Sequence, residues 1–87
     1  MKKYEVSFER DVQKIYKRLP KDLLARLDRA ILALANEPRP PGCKKLTGSD
    51  LYWIRVGDWR ITYAIEDDKL IVLVVEVAPR GDTYRHL

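Results

Sequence analysis

The spacing of hydrophobic residues changes once along this chain, and that change restricts the fold more than any other sequence feature. Up to Asn36, hydrophobic residues recur every three or four positions, as they do on amphipathic helices. From Tyr52 onward they alternate with polar residues, as they do on strands with one buried face. Between the two patterns lies the proline-rich segment 37–43, which predicts a crossing without helix or strand. The sequence therefore predicts an α+β fold with helices packed on a sheet.

The N-terminal part predicts one strand followed by a helical hairpin. Residues 2–7 alternate in polarity like a short strand, and Ser7 is a suitable N-cap for the next segment. The hydrophobic stripe expected on the first helix consists of Phe8, Val12, Ile15, Tyr16 and Leu19. Pro20 cannot continue that helix but suits the first turn of a second one, which runs to Asn36. Two helices with so short a connection form an antiparallel hairpin.

The C-terminal part predicts three strands joined by tight turns at 57–58 and 67–68. The last strand, residues 70–77, is almost entirely apolar, which is typical of a central strand buried on both faces. The predicted order is β-α-α-β-β-β, with the N-terminal strand and the helical hairpin packed on an antiparallel sheet. A chain of 87 residues supports one core, so residues 1–87 are expected to form a single domain.

Alternation along the strands is expected to gather arginines on the sheet face away from the helices. Arg55 and Arg60 lie on that face if the apolar residues beside them face the helices. In the last strand, Val75 and Val77 share one face, and the opposite parity leads to Arg80. Three arginines from three strand ends would then converge on one open surface.

Two interpretations of these arginines stay open. In the first, each is a solvated residue, and those at 55 and 60 pair with Asp58 or Glu76. In the second, the guanidinium groups converge on an anion, because guanidinium binds phosphate oxygens in pairs and stays charged. Lys44 and Lys45 are expected at the rim of that surface. The net charge of +4 favours a polyanionic partner, and RNA is the partner that we predict.

Composition excludes several classes of protein. Cys43 is the only cysteine and His86 the only histidine, so an internal disulfide is excluded and a metal site is not expected. The N-terminus lacks the apolar region of a signal peptide, and the longest apolar run, Leu70–Val75, is too short to span a bilayer. We therefore expect a cytoplasmic protein that needs no metal or cofactor, since arginine supplies the positive charge.

Four short motifs follow one another in the second half of the chain. They are Leu46-x-Gly48, Tyr52-x-Ile54-Arg55, Trp59-Arg60-Ile61-x-Tyr63 and Arg80-x-x-x-Tyr84. With the two preceding helices, this ordered set resembles the RelE-type toxins of bacterial and archaeal type II toxin–antitoxin systems, over nearly the whole chain. The resemblance implies the RelE-like toxin fold and tight inhibition by an antitoxin encoded in a neighbouring gene. In the best-known branch of the family it also implies inhibition of translation by cleavage of messenger RNA in the ribosomal A site.

The resemblance further implies a metal-independent mRNA interferase mechanism and roles for individual residues. The RNA 2′-OH attacks the adjacent phosphate, which leaves a 2′,3′-cyclic phosphate and a free 5′-OH. Matched by motif, Arg60 would clamp the phosphate, while Arg80 would stabilise the transition state or assist the leaving group. Arg55 takes a position that is lysine in the type example. Tyr84 takes the terminal tyrosine, which stacks on a base or relays a proton.

The chain departs from that pattern at Trp53, where the type example has a second lysine. An indole cannot transfer the proton, so the identity of the general base stays open. Trp53 either stacks on an RNA base or covers apolar surface. His86 is either a solvated terminal residue or an acid–base group. Lys44, Lys45 and Arg85 are assigned, like these two residues, to contacts with RNA or the ribosome.

Two alternative functions remain. The ParE branch of the same family implies a non-enzymatic inhibitor of DNA gyrase, although retention of the motif arginines and of Tyr84 favours the nuclease branch. The other alternative is a catalytically degenerate toxin that acts only as half of a DNA-binding repressor complex. An antitoxin partner is expected in every case, as an extended or helical segment across the helices and the sheet.

Overall fold

Residues 3–79 are described by the computed structural model of the protein, and they contain two helices and five strands. In chain order the elements are β1 (Glu5–Phe8), α1 (Arg10–Tyr16), α2 (Lys21–Asn36), β2 (Lys44–Lys45), β3 (Tyr52–Val56), β4 (Trp59–Glu66) and β5 (Ile71–Pro79). The sheet order is β1-β5-β4-β3-β2, and neighbouring strands are antiparallel except for β1 and β5, which are parallel. The predicted α+β architecture is confirmed, with β2 as an additional short edge strand. Within these residues, neither helix has the length and hydrophobicity needed to cross a bilayer.

The hydrophobic core lies between the helices and one face of the sheet. α2 buries Leu27, Ile31 and Leu34, because their spacing puts them on one side of the helix. These side chains meet the fully buried Ile61 and Tyr63 of β4. The helical pattern predicted this second helix correctly, including the residue at which it ends.

Polar contacts fix the crossing segment 37–43 to the sheet. The Tyr63 hydroxyl donates a hydrogen bond of 2.7 Å to the carbonyl oxygen of Pro38, and burial raises the pKa of Tyr63. Arg39 donates to both carboxylate oxygens of Asp67, at 3.3 and 3.0 Å. The hydrogen bonds to Asp67 raise the pKa of the Arg39 guanidinium. The segment is therefore held in place without helix or strand of its own, as predicted.

The first helix begins later than its sequence pattern predicts. The helix N-cap is Glu9 rather than Ser7, and Phe8 belongs to β1, where it pairs with Val74 of β5. Ile15, which belongs to the predicted hydrophobic stripe, is 52% exposed. The late start of the helix results from a long-range strand pairing that no local pattern encodes, in which the Glu9 amide donates to the Val74 carbonyl at 3.0 Å. Tertiary pairing thus overrides the local helical spacing at the start of α1.

A β-bulge interrupts the pairing between β4 and β5. Thr62 pairs with Glu76 and Tyr63 pairs with Val74, which leaves Val75 as an extra residue on β5. A bulge of this kind inserts one residue and shifts the alternation of all residues beyond it. The shift keeps Glu76 on the same side of the sheet as Thr62, whose hydroxyl donates to the Glu76 carboxylate at 3.2 Å.

The bulge changes the predicted alternation of β5. Val75 has no partner in β4 and keeps part of its surface exposed, whereas Val77, three positions after Val74, is buried. The strand is also not buried on both faces: Val72 and Val74 are fully buried, whereas Leu73 and Val75 keep part of their surface exposed. β5 is nevertheless an inner strand, as predicted, since it lies between β1 and β4.

Candidate nucleic-acid interface

The side of the sheet that faces away from the helices carries a cluster of mainly polar and charged residues from four strands. We call this cluster the outer face. It consists of Lys44, Trp53, Arg55, Arg60, Thr62, Glu76 and Ala78. Residues that pair directly across strands project to the same side of a sheet, and the intervening Ile61 and Tyr63 are buried against the helices.

The outer face is arranged in two rows that run across the strands. The first row is Lys44, Trp53, Thr62 and Glu76, and the second is Arg55, Arg60 and Ala78. In the first row, the Thr62 hydroxyl is occupied by its hydrogen bond to Glu76. In the second row, two arginines lie directly opposite each other, a pairing of like charges that destabilises a sheet.

Arg60 is the residue with the least satisfied side chain of the outer face. Its Nε atom is buried and has no hydrogen-bond partner among residues 3–79. The ion pairs of this part of the chain join Arg39 to Asp67 and Lys69 to Glu66, so the alternative pairing of Arg60 with Asp58 or Glu76 is not present there. The guanidinium instead lies against the Trp53 ring, with 4.7 Å between Cζ and the ring centroid.

The β3–β4 turn places further positive charge beside the second row. Gly57 has a φ of +60°, which suits the first central residue of a tight hairpin turn. The Arg55 Nε donates to the Gly57 carbonyl oxygen at 3.4 Å. Arg26 of α2 reaches the same turn, where a Cβ on Gly57 would collide with its guanidinium. No signal in the sequence marks Arg26, because the spacing that defines a helix reveals its apolar face and does not show which basic residue reaches a distant turn.

The two lysines of β2 lie on opposite sides of the sheet. Lys44 pairs with Trp53, and its Nζ lies 5.7 Å from the Trp53 ring centroid. Lys45 pairs with Tyr52, which packs against the core. Both lysines lie on β2, the edge strand of the sheet, which is the rim position expected from the sequence. Only Lys44 lies on the arginine-bearing side, because successive residues of a strand alternate between its two faces.

The remaining predicted site residues lie outside the described residues. They are Arg80, Tyr84, Arg85 and His86. Within residues 3–79, no group of three or more His, Cys, Asp or Glu side chains is placed to hold a metal ion. The described chemistry of the outer face is thus that of cations, one hydroxyl and one carboxylate, which suits binding of phosphate oxygens and stabilisation of developing negative charge.

The chain as a whole is similar to known proteins of one family. Residues 3–84 match the family described as the ParE toxin of the type II toxin–antitoxin system parDE. A candidate toxin of Methanocaldococcus jannaschii, RelE1, is 30% identical over 88 residues, which cover 97% of this chain and 98% of that protein.

Solved structures show the same fold. The archaeal RelE–RelB complex from Pyrococcus horikoshii matches with 30% identity and a TM-score of 0.76, covering 93% of this chain and 98% of the matched chain. The RelBE2 toxin–antitoxin complex from Mycobacterium tuberculosis matches with 26% identity and a TM-score of 0.79, covering 90% and 99%. The family match and these relatives confirm the resemblance seen in the sequence motifs: the chain belongs to the RelE/ParE family of toxins of type II toxin–antitoxin systems.

Proposed function

We propose that this toxin is a ribosome-dependent endoribonuclease that cleaves messenger RNA, inhibits translation and is neutralised by an antitoxin. The observation that carries the proposal is Arg60, whose buried Nε has no acceptor among the described residues and whose direct neighbour across the strands is Arg55. An anion seated on the outer face would offset the repulsion between the two guanidinium groups. A phosphate group of RNA has the required charge and oxygen geometry.

The balance of charge on the outer face supports a polyanion over a single small carboxylate. Lys44, Arg55 and Arg60 contribute three cations, and the one carboxylate, Glu76, accepts a hydrogen bond from a neutral hydroxyl. Arg26 adds a fourth cation beside the β3–β4 turn. Cations distributed over β2, β3 and β4 suit contacts with more than one phosphate of a single strand of RNA.

The proposed reaction is a transfer of the phosphoryl group within RNA. The 2′-oxygen attacks the adjacent phosphorus, the bond to the 5′-oxygen breaks, and the products are a 2′,3′-cyclic phosphate and a 5′-OH. Arg60 would hold the non-bridging oxygens while negative charge builds on them, and Arg55 would contribute from the opposite strand. Arg80 and Tyr84 keep the roles assigned by motif, as predictions: Arg80 would stabilise the transition state or assist the 5′-oxygen as it leaves, and Tyr84 would stack on a base or relay a proton. The 5′-oxygen takes up a proton as its bond to phosphorus breaks.

The proton of the 2′-OH needs an acceptor, and Trp53 cannot provide one. Glu76 is the carboxylate of the outer face, and its hydrogen bond from Thr62 fixes it on that side of the sheet. We therefore propose Glu76 as a second candidate general base, beside Tyr84. If Glu76 has this role, Glu76→Gln should lower kcat while leaving the affinity for ribosomes unchanged.

The proposed activity is tested by expressing the toxin without a partner and mapping the 5′ ends of translated messages. We expect growth arrest and new ends inside codons, and both should disappear with Arg60→Ala. Arg29→Ala is the matched control, because it removes the same charge from an exposed position of α2, which packs on the other side of the sheet. An Arg60→Ala protein that still cleaves messages normally would contradict the proposal.

The family description names ParE toxins, and this favours gyrase inhibition as the second candidate function. Under that alternative, messages stay intact while gyrase–DNA complexes accumulate, and the outer face is not required for toxicity. A catalytically degenerate toxin would produce neither effect. The same expression experiment therefore separates the three functions.

We further propose that a cognate antitoxin binds across the helices and the sheet, with residues 1–87 acting as one toxin domain. The solved relatives from Pyrococcus horikoshii and Mycobacterium tuberculosis are complexes of a toxin with its antitoxin. On this chain, Ile15 of α1 and Leu32 of α2 are 52% and 65% exposed, which provides apolar surface for a partner. Ile15→Glu and Leu32→Glu should weaken co-purification with the product of the adjacent gene.

A further inference from the structure

We propose that Trp53 is a positioning residue, which holds the Arg60 guanidinium in place for phosphate by a cation–π contact and does not itself stack on an RNA base. This inference rests on the proposed function, since it assigns a role within the same site. It replaces the two roles that the sequence left open for Trp53, base stacking and simple coverage of apolar surface.

The contact geometry places two cations on one indole. Arg60 Cζ lies 4.7 Å from the Trp53 ring centroid and Lys44 Nζ lies 5.7 Å from it, both within the range of a cation–π attraction. Lys44 comes from β2 and Arg60 from β4, the two strands that flank β3. The cations therefore approach the ring from both neighbouring strands, and a stacking base would have to compete with them.

Arg60 needs such a contact because no hydrogen bond or ion pair with another described residue orients its guanidinium group. Its Nε is buried without an acceptor, and the ion pairs of residues 3–79 do not include it. Its direct cross-strand neighbour, Arg55, repels it. A long side chain under these conditions would otherwise sample several rotamers, and the aromatic ring restricts it without neutralising its charge.

The register of the sheet makes this contact specific to position 53. Trp53 pairs directly with Thr62, and Arg60 lies two residues before Thr62 on β4, so Trp53 and Arg60 are diagonal neighbours. Diagonal neighbours on one face are within reach of aromatic and long side chains. Phenylalanine at this position would retain a weaker cation–π contact, whereas leucine would retain the apolar surface and lose the contact.

The first test measures Arg60 itself and requires no RNA. NMR of the arginine Nε–H group in the free full-length toxin should show an ordered, ring-shifted Arg60 signal in the wild type and in Trp53→Phe. In Trp53→Leu the ring shift and the order should be lost while the backbone spectrum stays that of a folded protein. An Arg60 signal that is equally ordered in Trp53→Leu overturns the positioning role, whatever the protein does to RNA.

The second test is a double-mutant cycle on binding to ribosomes programmed with a message that carries 2′-deoxynucleotides in the A-site codon, so that no cleavage occurs. Trp53→Leu should weaken binding roughly three- to thirtyfold in the wild-type background, the range expected for a cation–π contact. It should cause no further loss in the Arg60→Ala background. An equal loss in both backgrounds would mean that Trp53 contacts RNA on its own and would overturn the inference.

The two tests separate this inference from the proposed function. If Arg60→Ala leaves ribosome binding and cleavage intact, the proposed function fails, while the NMR comparison still decides whether Trp53 orders Arg60. If Arg60→Ala abolishes cleavage but Trp53→Leu leaves Arg60 ordered, the proposed function stands and the positioning role is wrong.

Discussion

Replacing Arg60 by methionine should make this toxin more stable and inactive at the same time. Methionine has a similar length and is apolar, so it fills the space of the arginine stem on the outer face without its charge. Most substitutions at half-buried positions destabilise a protein. A gain in stability at Arg60 would therefore indicate that the arginine is retained for a ligand and not for the fold.

The size of the expected gain in the free energy of unfolding follows from three effects of removing the Arg60 guanidinium. The substitution removes a buried, unpaired Nε, a group that costs about 1–3 kcal/mol. It removes the like-charge pairing with Arg55, which costs roughly 0.2–1 kcal/mol. It also removes the contact with Trp53, which stabilises the folded state by about 0.5–2 kcal/mol. The favourable changes exceed the unfavourable one, and we expect a net gain of about 1 kcal/mol.

The assay is urea unfolding of the free toxin followed by far-ultraviolet circular dichroism, with the melting temperature as a second measure. A gain of 1 kcal/mol corresponds to a rise of roughly 4–8 °C in Tm for a domain of this size. The control is Arg29→Met on the exposed face of α2, which should change the free energy of unfolding by less than about 0.5 kcal/mol. A loss of about 1 kcal/mol or more in Arg60→Met would refute the reasoning, because Arg60 would then stabilise the fold.

Three further substitutions test the packing that supports the site. Tyr63→Phe should lower the free energy of unfolding by about 1 kcal/mol in denaturant titrations, because the hydrogen bond to Pro38 is lost. The pKa of Tyr63 is raised in the folded state, so the free energy of unfolding of the wild type should fall as the pH rises above about 10. The same titrations should show a shallower fall for Tyr63→Phe, which lacks this ionisable group. Arg39→Ala should lower the free energy of unfolding by less than about 1 kcal/mol, since the ion pair with Asp67 is largely solvent-exposed. A loss of more than about 2 kcal/mol in the same titration would show that the segment 37–43 depends on this ion pair for its position. Leu27→Ala should cost about 2–5 kcal/mol, because Leu27 is fully buried in the core, and a near-neutral effect on urea unfolding would place the core elsewhere.

Most of the fold could be predicted from the sequence because its elements follow local rules. The turn at Gly57 and the end of α2 at Asn36 are marked by residue type and by a change of period. The errors arose where a distant strand determines the structure. Phe8 joins β1 because of its partner in β5, and the bulge at Val75 appears in the register with β4 and not in the alternation of β5 itself.

The candidate site could be predicted only to the extent that it depends on alternation within a strand. Alternation placed Arg55 and Arg60 on one face, and the structure pairs them directly. The contact between Trp53 and Arg60 depends on the register between two strands, and the approach of Arg26 depends on how α2 packs beside the turn. Neither could be inferred from spacing along the chain. The sequence left base stacking and coverage of apolar surface open for Trp53, whereas the structure shows that its ring contacts Arg60.

In the proposed mechanism, the outer face holds an RNA phosphate while the adjacent 2′-oxygen attacks it. The most direct measurement is the chemical nature of the new RNA ends after the purified toxin is mixed with programmed ribosomes. We predict 2′,3′-cyclic phosphate and 5′-OH ends inside the A-site codon with the wild type and Arg29→Ala, and their loss with Arg60→Ala or with a 2′-deoxy message. Uncut messages with the wild type, or unchanged cleavage with Arg60→Ala, would contradict the account.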